Sequence, residues 1–150
     1  FSVYGPRERP EKLYPMLIGS ILMDKEFPLF GDSRKHLRSF TYISDVIDCC
    51  EAVLMKIDRC IGQIFNVGWD KETTTGEAIA IVEELIGRKA RFVTMPPRPG
   101  DQWRTCANID KARRVLGYEP KVTLREGLKD EVQWYKQKIL PQMSGCSRFF

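Results

Sequence analysis

Apolar residues recur along the chain at two periods, and the change from one to the other marks the elements. Leu13, Met16, Leu17, Ile21 and Leu22 stand at helical spacing, with Pro15 suited to a first turn, so a helix is expected from about 14 to 23. SVYG at 2–5 reads as a short strand end before the polar loop PRERP. FPLF at 27–30 reads as a strand and GDSRKHL after it as a loop. SFTYI at 39–43 alternates and is rich in aromatic and β-branched residues, the pattern of another short strand. Ser44 is placed to cap the next helix, with Asp45 and Asp48 near its N-terminus and Val46, Cys49, Cys50, Val53 and Leu54 as its buried stripe. IFNVG then supplies a buried strand from Ile64 to Val67.

The second half is punctuated more sharply. Thr74 and Glu77 have the spacing of a capping box, opening a helix that buries Ala78, Ile81, Val82, Leu85 and Ile86 and stops at Gly87. RFVTM at 91–95 is a strand. Asn108 caps a short helix carrying Ile109, Ala112, Val115 and Leu116, closed by Gly117. Thr123 and Glu126 repeat the capping-box spacing before a long helix marked by Leu124, Leu128, Val132, Tyr135 and Ile139. Residues 141–150, PQMSGCSRFF, read as a loose tail after a unit spanning 1–140. The short strands come without hairpin turns, so they are expected to complete sheets that other segments supply.

Composition narrows the class. The chain has 150 residues, 43% hydrophobic and 29% charged, enough for one globular domain with a real core. No apolar run nears the roughly 20 residues that span a bilayer, so no membrane partner is expected. Starting at Phe1, the sequence shows no signal peptide and reads as a piece of a longer protein. The net charge of +4 is mild, and the cluster Lys111, Arg113, Arg114 alternates with apolar helical positions. That is a solvated helix face, and nucleic acid is not an expected partner. Five cysteines at 49, 50, 60, 106 and 146 form no CxxC pair, and His36 is the one histidine, so no metal site is expected. Free thiols fit a reducing cytoplasm.

PPRPGDQWRT, residues 96–105, sets a guanidinium and a carboxylate on a loop stiffened by proline. Arg98 and Asp101 are either aimed at a ligand or form an ordinary exposed pair worth little.

Five segments in order, SVYGPRERP, FPLFGD, LRSFTYISDV, IFNVGWDKETTTGEAI and PPRPGDQWRTCANIDKARRVLGYEPKVTLREGL, resemble the C-terminal half of nucleotide-sugar epimerases and dehydratases. These are extended short-chain dehydrogenase/reductases. The resemblance implies an α/β fold: the substrate-binding portion of an NAD(P)-binding Rossmann-like protein, helix-rich, with SVYG and IFNVG as late Rossmann strands. It implies an NAD-dependent epimerase acting on a UDP-sugar at C4 through a 4-keto intermediate, and a cytoplasmic homodimer at full length. Residue by residue, Arg98 would face diphosphate oxygens. Asp101 would accept from a ribose hydroxyl or orient Arg98. Arg38 matches a nucleotide-contacting arginine, followed here by Ser39 where the family has Asp. Pro28 and Phe30 would lie beside the base, Ser2 would face the substrate, and Arg9 would reach the sugar. Pro28 and Phe30 could instead be core residues, and Arg9 a solvated loop charge.

The chain carries no glycine-rich dinucleotide turn and no Tyr with Lys four positions later. No catalytic residue is therefore expected in it, NAD would be bound mainly by a missing half, and the 150 residues alone should be inactive. A dehydratase or decarboxylase of the same family, or a noncatalytic RNA-contacting module on the same fold, stays open as an alternative.

Overall fold

The computed structural model describes residues 1–146, with side chains described through Met143. In chain order the elements are β1 (Ser2–Tyr4), α1 (Leu13–Leu22), β2 (Glu26–Phe30), β3 (Leu37–Arg38), β4 (Phe40–Tyr42), α2 (Ile43–Met55), α3 (Ile57–Cys60), β5 (Thr73–Thr74), α4 (Thr75–Ile86), β6 (Arg91–Met95), β7 (Arg104–Thr105), α5 (Asp110–Leu116), α6 (Leu124–Trp134) and α7 (Leu140–Cys146). One π-helical turn, Tyr135–Ile139, joins α6 to α7. The expected loose tail is thus helical as far as Cys146, and 147–150 lie outside the described residues.

The local signals drive the strongest elements. Thr74 and Thr123 each accept from the backbone N–H three residues on, and Glu77 and Glu126 return the bond, so both capping boxes form. β2 and β6 pair in parallel from Glu26↔Arg91 to Phe30↔Met95. Each strand of that pair is an edge, where a residue without an N–H such as Pro28 is tolerated. β1 and β4 form a second parallel pair, and β3 sits between antiparallel β5 and parallel β7.

Around β1 and β4 the core is aromatic. Tyr4 meets Tyr14 and Tyr42 edge-on at centroid distances of 5.3 and 5.5 Å, and Tyr14 meets Phe40 at 5.1 Å. Such pairs are worth about 0.5–1.5 kcal/mol each beyond area burial. Leu17, Ile18, Val82 and Leu128 complete this core from α1, α4 and α6. Helix α6 lies close enough that a Cβ on Gly127 would overlap the Tyr4 hydroxyl and the Tyr42 ring. A second cluster joins Cys49 and Cys60 to Ile109, Ala112, Leu116 and Tyr118.

Two expectations fail together. Ile64–Val67 is not a strand, and Ile64 is 85% exposed. Within the described residues this segment has no neighbouring strand to pair with; Phe65 and Val67 pack against the second cluster while Asn66 Nδ2 donates to the Asn108 carbonyl at 3.1 Å. On α2, Cys49 is buried but Cys50 is exposed and Leu54 is 71% exposed. The helix is apolar on more than one side, and α5 covers one of them. Ser44 does not cap it either: β4 runs directly into α2, Tyr42 is the cap residue, and no side chain caps it. Asp45 turns inward, its oxygens accepting from the Lys121 and Val122 N–H groups at 3.0 and 3.3 Å.

Glu131 on α6 is fully buried against Glu8, in the loop between β1 and α1. With both ionised, neither could donate, and both Glu131 oxygens and Glu8 Oε2 have no other partner. Burial, then the facing carboxylate, pushes Glu131 up to about 9, and burial pushes Glu8 up to about 7. Glu131 therefore keeps its proton to higher pH than Glu8 does. The unfolded chain releases both protons near the ordinary carboxylate value of about 4.3, so the folded state loses stability as pH rises from there through neutrality. Glu131→Gln is expected to raise the melting temperature by several degrees at about pH 8 and by much less at about pH 5. Parallel melts of both proteins across that range check it; an equal difference at both ends would contradict it.

Candidate functional site

The parallel pairing of β2 and β6 launches two turns from one end. After Phe30, the Gly31 N–H donates to the Met95 carbonyl at 2.9 Å, and the chain bends at φ +47. After Met95 come two prolines, which hold the backbone extended. Then Arg98–Asp101 forms a turn with Pro99 second and Gly100 third, Gly100 at φ +78, closed by the Asp101 N–H on the Arg98 carbonyl at 3.3 Å. Pro97 lies against Gly31, where an added Cβ would sit 3.0 Å from its Cγ.

This turn sets Arg98 over the Phe30 ring, the guanidinium carbon 3.5 Å from the centroid. Arg98 makes no ion pair among the described residues, so its N–H groups stay open to a ligand. Of the two roles expected for Asp101, orienting Arg98 is not the one its contacts show. Asp101 holds Arg38, whose Nη2 donates to Asp101 Oδ1 at 3.1 Å while Nη1 donates to the Leu37 carbonyl at 2.9 Å. The short sheet makes this meeting possible: Leu37 and Arg38 stand beside Arg104 and Thr105 in parallel register, and the Leu37 N–H donates to the Trp103 carbonyl at 3.0 Å.

Six of the seven residues nominated from sequence line one cavity of about 340 Å³: Ser2, Pro28, Phe30, Arg38, Arg98 and Asp101. The volume is in the range of small-molecule sites. The cavity opens beside a groove sharing Ser2, Lys12, Arg38 and Asp101. Arg9 is not part of it: the side chain is 70% exposed and its nearest acid is Glu11 at 3.6 Å. Ser39, where the family has an acid, is fully buried and donates to the Trp69 carbonyl, so it serves the fold. Sequence reasoning missed His36, Lys12 and Thr75, which also line the cavity. His36 carried a signal, being the one histidine and two residues before Arg38.

Comparison with known proteins places the chain among nucleotide-sugar enzymes by similarity. Residues 1–68 match the NAD dependent epimerase/dehydratase family. An uncharacterized UDP-glucose epimerase of Bacillus subtilis, YtcB, is 36% identical over 134 residues, 89% of this chain and 42% of the relative. Among solved structures, UDP-glucuronic acid 4-epimerase of Bacillus cereus, in complex with UDP-glucuronic acid and NAD, superposes with a TM-score of 0.86 at 36% identity, over 91% of this chain and 43% of that one. The dTDP-glucose 4,6-dehydratase of Bacillus anthracis superposes with a TM-score of 0.79 at 29% identity, over 92% of this chain and 43% of that one.

The chain matches the NAD dependent epimerase/dehydratase family over residues 1–68, and its fold is the α/β, Rossmann-like fold of the extended epimerases. It spans less than half the length of these relatives.

The sequence holds no glycine-rich turn of the kind that grips a dinucleotide. Such a turn has free N–H groups that meet the pyrophosphate at a helix start. Here α4 and α6 close their own N-termini with capping boxes, and α2 begins directly from β4.

Gly31→Ala tests how far the cavity depends on the turn. The added Cβ is strained at positive φ and presses on Pro97, so a cost on the order of 1–2 kcal/mol is expected. A lowered melting temperature, with greater protease sensitivity within 96–103, is the expected result. An unchanged melt would show that the turn yields freely.

Proposed function

We propose that this chain is the nucleotide-sugar-gripping portion of an NAD-dependent UDP-sugar 4-epimerase. The observation that carries the reading is Arg98 stacked on Phe30 without an acidic partner, beside Arg38, which is held by Asp101. An unpaired planar fork over an aromatic ring, with a second guanidinium nearby, suits the two phosphates of a nucleoside diphosphate. Phe30 orients Arg98, a contact worth about 0.5–2 kcal/mol. Pro28 and Phe30 give an apolar wall for the base, and Ser2 offers a short hydroxyl to the substrate at the rim. The similarity to enzymes described with UDP-glucose or UDP-glucuronic acid favours a UDP-linked sugar.

Change at C4, through a 4-keto sugar, falls to groups this chain does not hold. Its own residues bind and orient. Without a glycine-rich turn or a Tyr-x-x-x-Lys pair, the 150 residues by themselves are expected to bind nucleotide sugar without turning it over and to retain no NAD. Turnover of UDP-glucuronate by the purified chain would overturn that. The full-length protein is read as a cytoplasmic homodimer on the resemblance alone. Among the described residues no helix is long and apolar enough to cross a membrane. A dehydratase remains the second reading, favoured by the structural likeness to the dTDP-glucose enzyme.

Arg98→Ala is the direct test of the grip. Loss of a charge-assisted contact costs roughly 1.5–3 kcal/mol, so affinity for UDP should weaken on the order of 10- to 150-fold. Arg98→Lys should restore part of it, since a point charge replaces a fork. The exposed position predicts little change in stability. Calorimetric titration of UDP into the three proteins at fixed ionic strength reads this; unchanged affinity in both variants would leave Arg98 without a role in binding.

A further inference from the structure

His36 lies between the two charged groups that set up the cavity. Its Nδ1 is 3.3 Å from Arg38 Nη2 and 3.4 Å from Asp101 Oδ2, and its ring meets Trp103 edge-on at 5.0 Å. The side chain is 11% exposed and lines the cavity. Its backbone is fixed from α4, where the Thr75 N–H and hydroxyl donate to the His36 carbonyl at 2.9 and 3.3 Å.

One nitrogen thus faces a permanent donor and a permanent acceptor. Arg38 cannot give up its charge, so a neutral ring meets it best with Nδ1 bare, accepting one Nη2 N–H while the other goes to Asp101. A protonated ring reverses this. Nδ1–H donates to Asp101 Oδ2, the bond from Arg38 is lost, and one Arg38 N–H is released at the cavity wall. The charged groups seen to face the ring are Asp101 and Arg38. Trp103 and, on α4, Thr75 are uncharged.

We propose that His36 is a proton-linked positioning residue of the anion grip: its protonation frees an Arg38 N–H for a diphosphate oxygen and adds a positive charge beside it. This rests on the reading that the cavity binds a nucleoside diphosphate. By linkage, a dianionic ligand that prefers the protonated ring raises the ring's own proton affinity, and binding tightens as pH falls.

The experiment uses UDP-glucose, whose diester phosphates do not titrate near neutrality. The one histidine gives a single imidazole signal in a heteronuclear NMR spectrum, so its titration can be followed with and without ligand. The expected result is a ring that holds its proton to higher pH on saturation, and affinity gained on the order of 3- to 10-fold between about pH 8 and 5.5. In His36→Asn, which holds no titrating proton, the affinity should be flat over that range. An unmoved midpoint, or the same pH slope in His36→Asn, overturns the proposal even though UDP-glucose binds. Absence of binding by the wild type at every pH overturns the reading of the cavity, and this proposal with it.

Discussion

The cavity depends on where one parallel ladder stops. β2 and β6 run side by side for five residues and end with Phe30 opposite Met95. Both chains then turn at the same edge, and the Gly31 N–H bond to Met95 locks the turns together. A ladder shifted by one residue would reverse the faces of Phe30 and its neighbours, because side chains alternate along a strand. Arg98 would then lack the ring on which it lies. The turn that follows Met95 is held by backbone bonds and proline stiffness, so its cation, Arg98, remains open to a ligand.

The charges in the cavity are arranged unequally. Arg38 is held by an acid and a carbonyl, with its side chain only 16% exposed, so it is pre-oriented. Arg98 is held by an aromatic face and keeps its hydrogen-bonding capacity. Lys12, Arg38 and Arg98 outnumber Asp101 and Glu11 along the wall, which leaves an excess of positive charge where the phosphates of a nucleotide sugar are proposed to lie. A rigid, partly desolvated cation loses less entropy on binding than a free one, which favours affinity without added contacts.

The opposite economy appears at Glu8 and Glu131. There two acids meet below the surface, and a retained proton keeps both from being charged at once. The loop fixed by this pair also carries Glu11 and Lys12, which line the cavity, so the core and the binding surface share one connection.

Much of the local structure was legible because its causes are local. The Thr74/Glu77 and Thr123/Glu126 boxes, the strand at 91–95 and the helix from Leu13 depend on residues within a few positions of one another. The family signature likewise named six residues that meet in one cavity. Sequence alone could not say which apolar faces find a partner: Cys50, Leu54 and Ile64 are apolar yet lie exposed among the described residues. It also could not pair groups far apart along the chain. Asp101 chooses Arg38 across 63 residues, and Glu131 meets Glu8 across the length of the fold. Periodicity records what each residue prefers, whereas burial and pairing depend on what the folded chain brings beside it, and only the tertiary structure decides that.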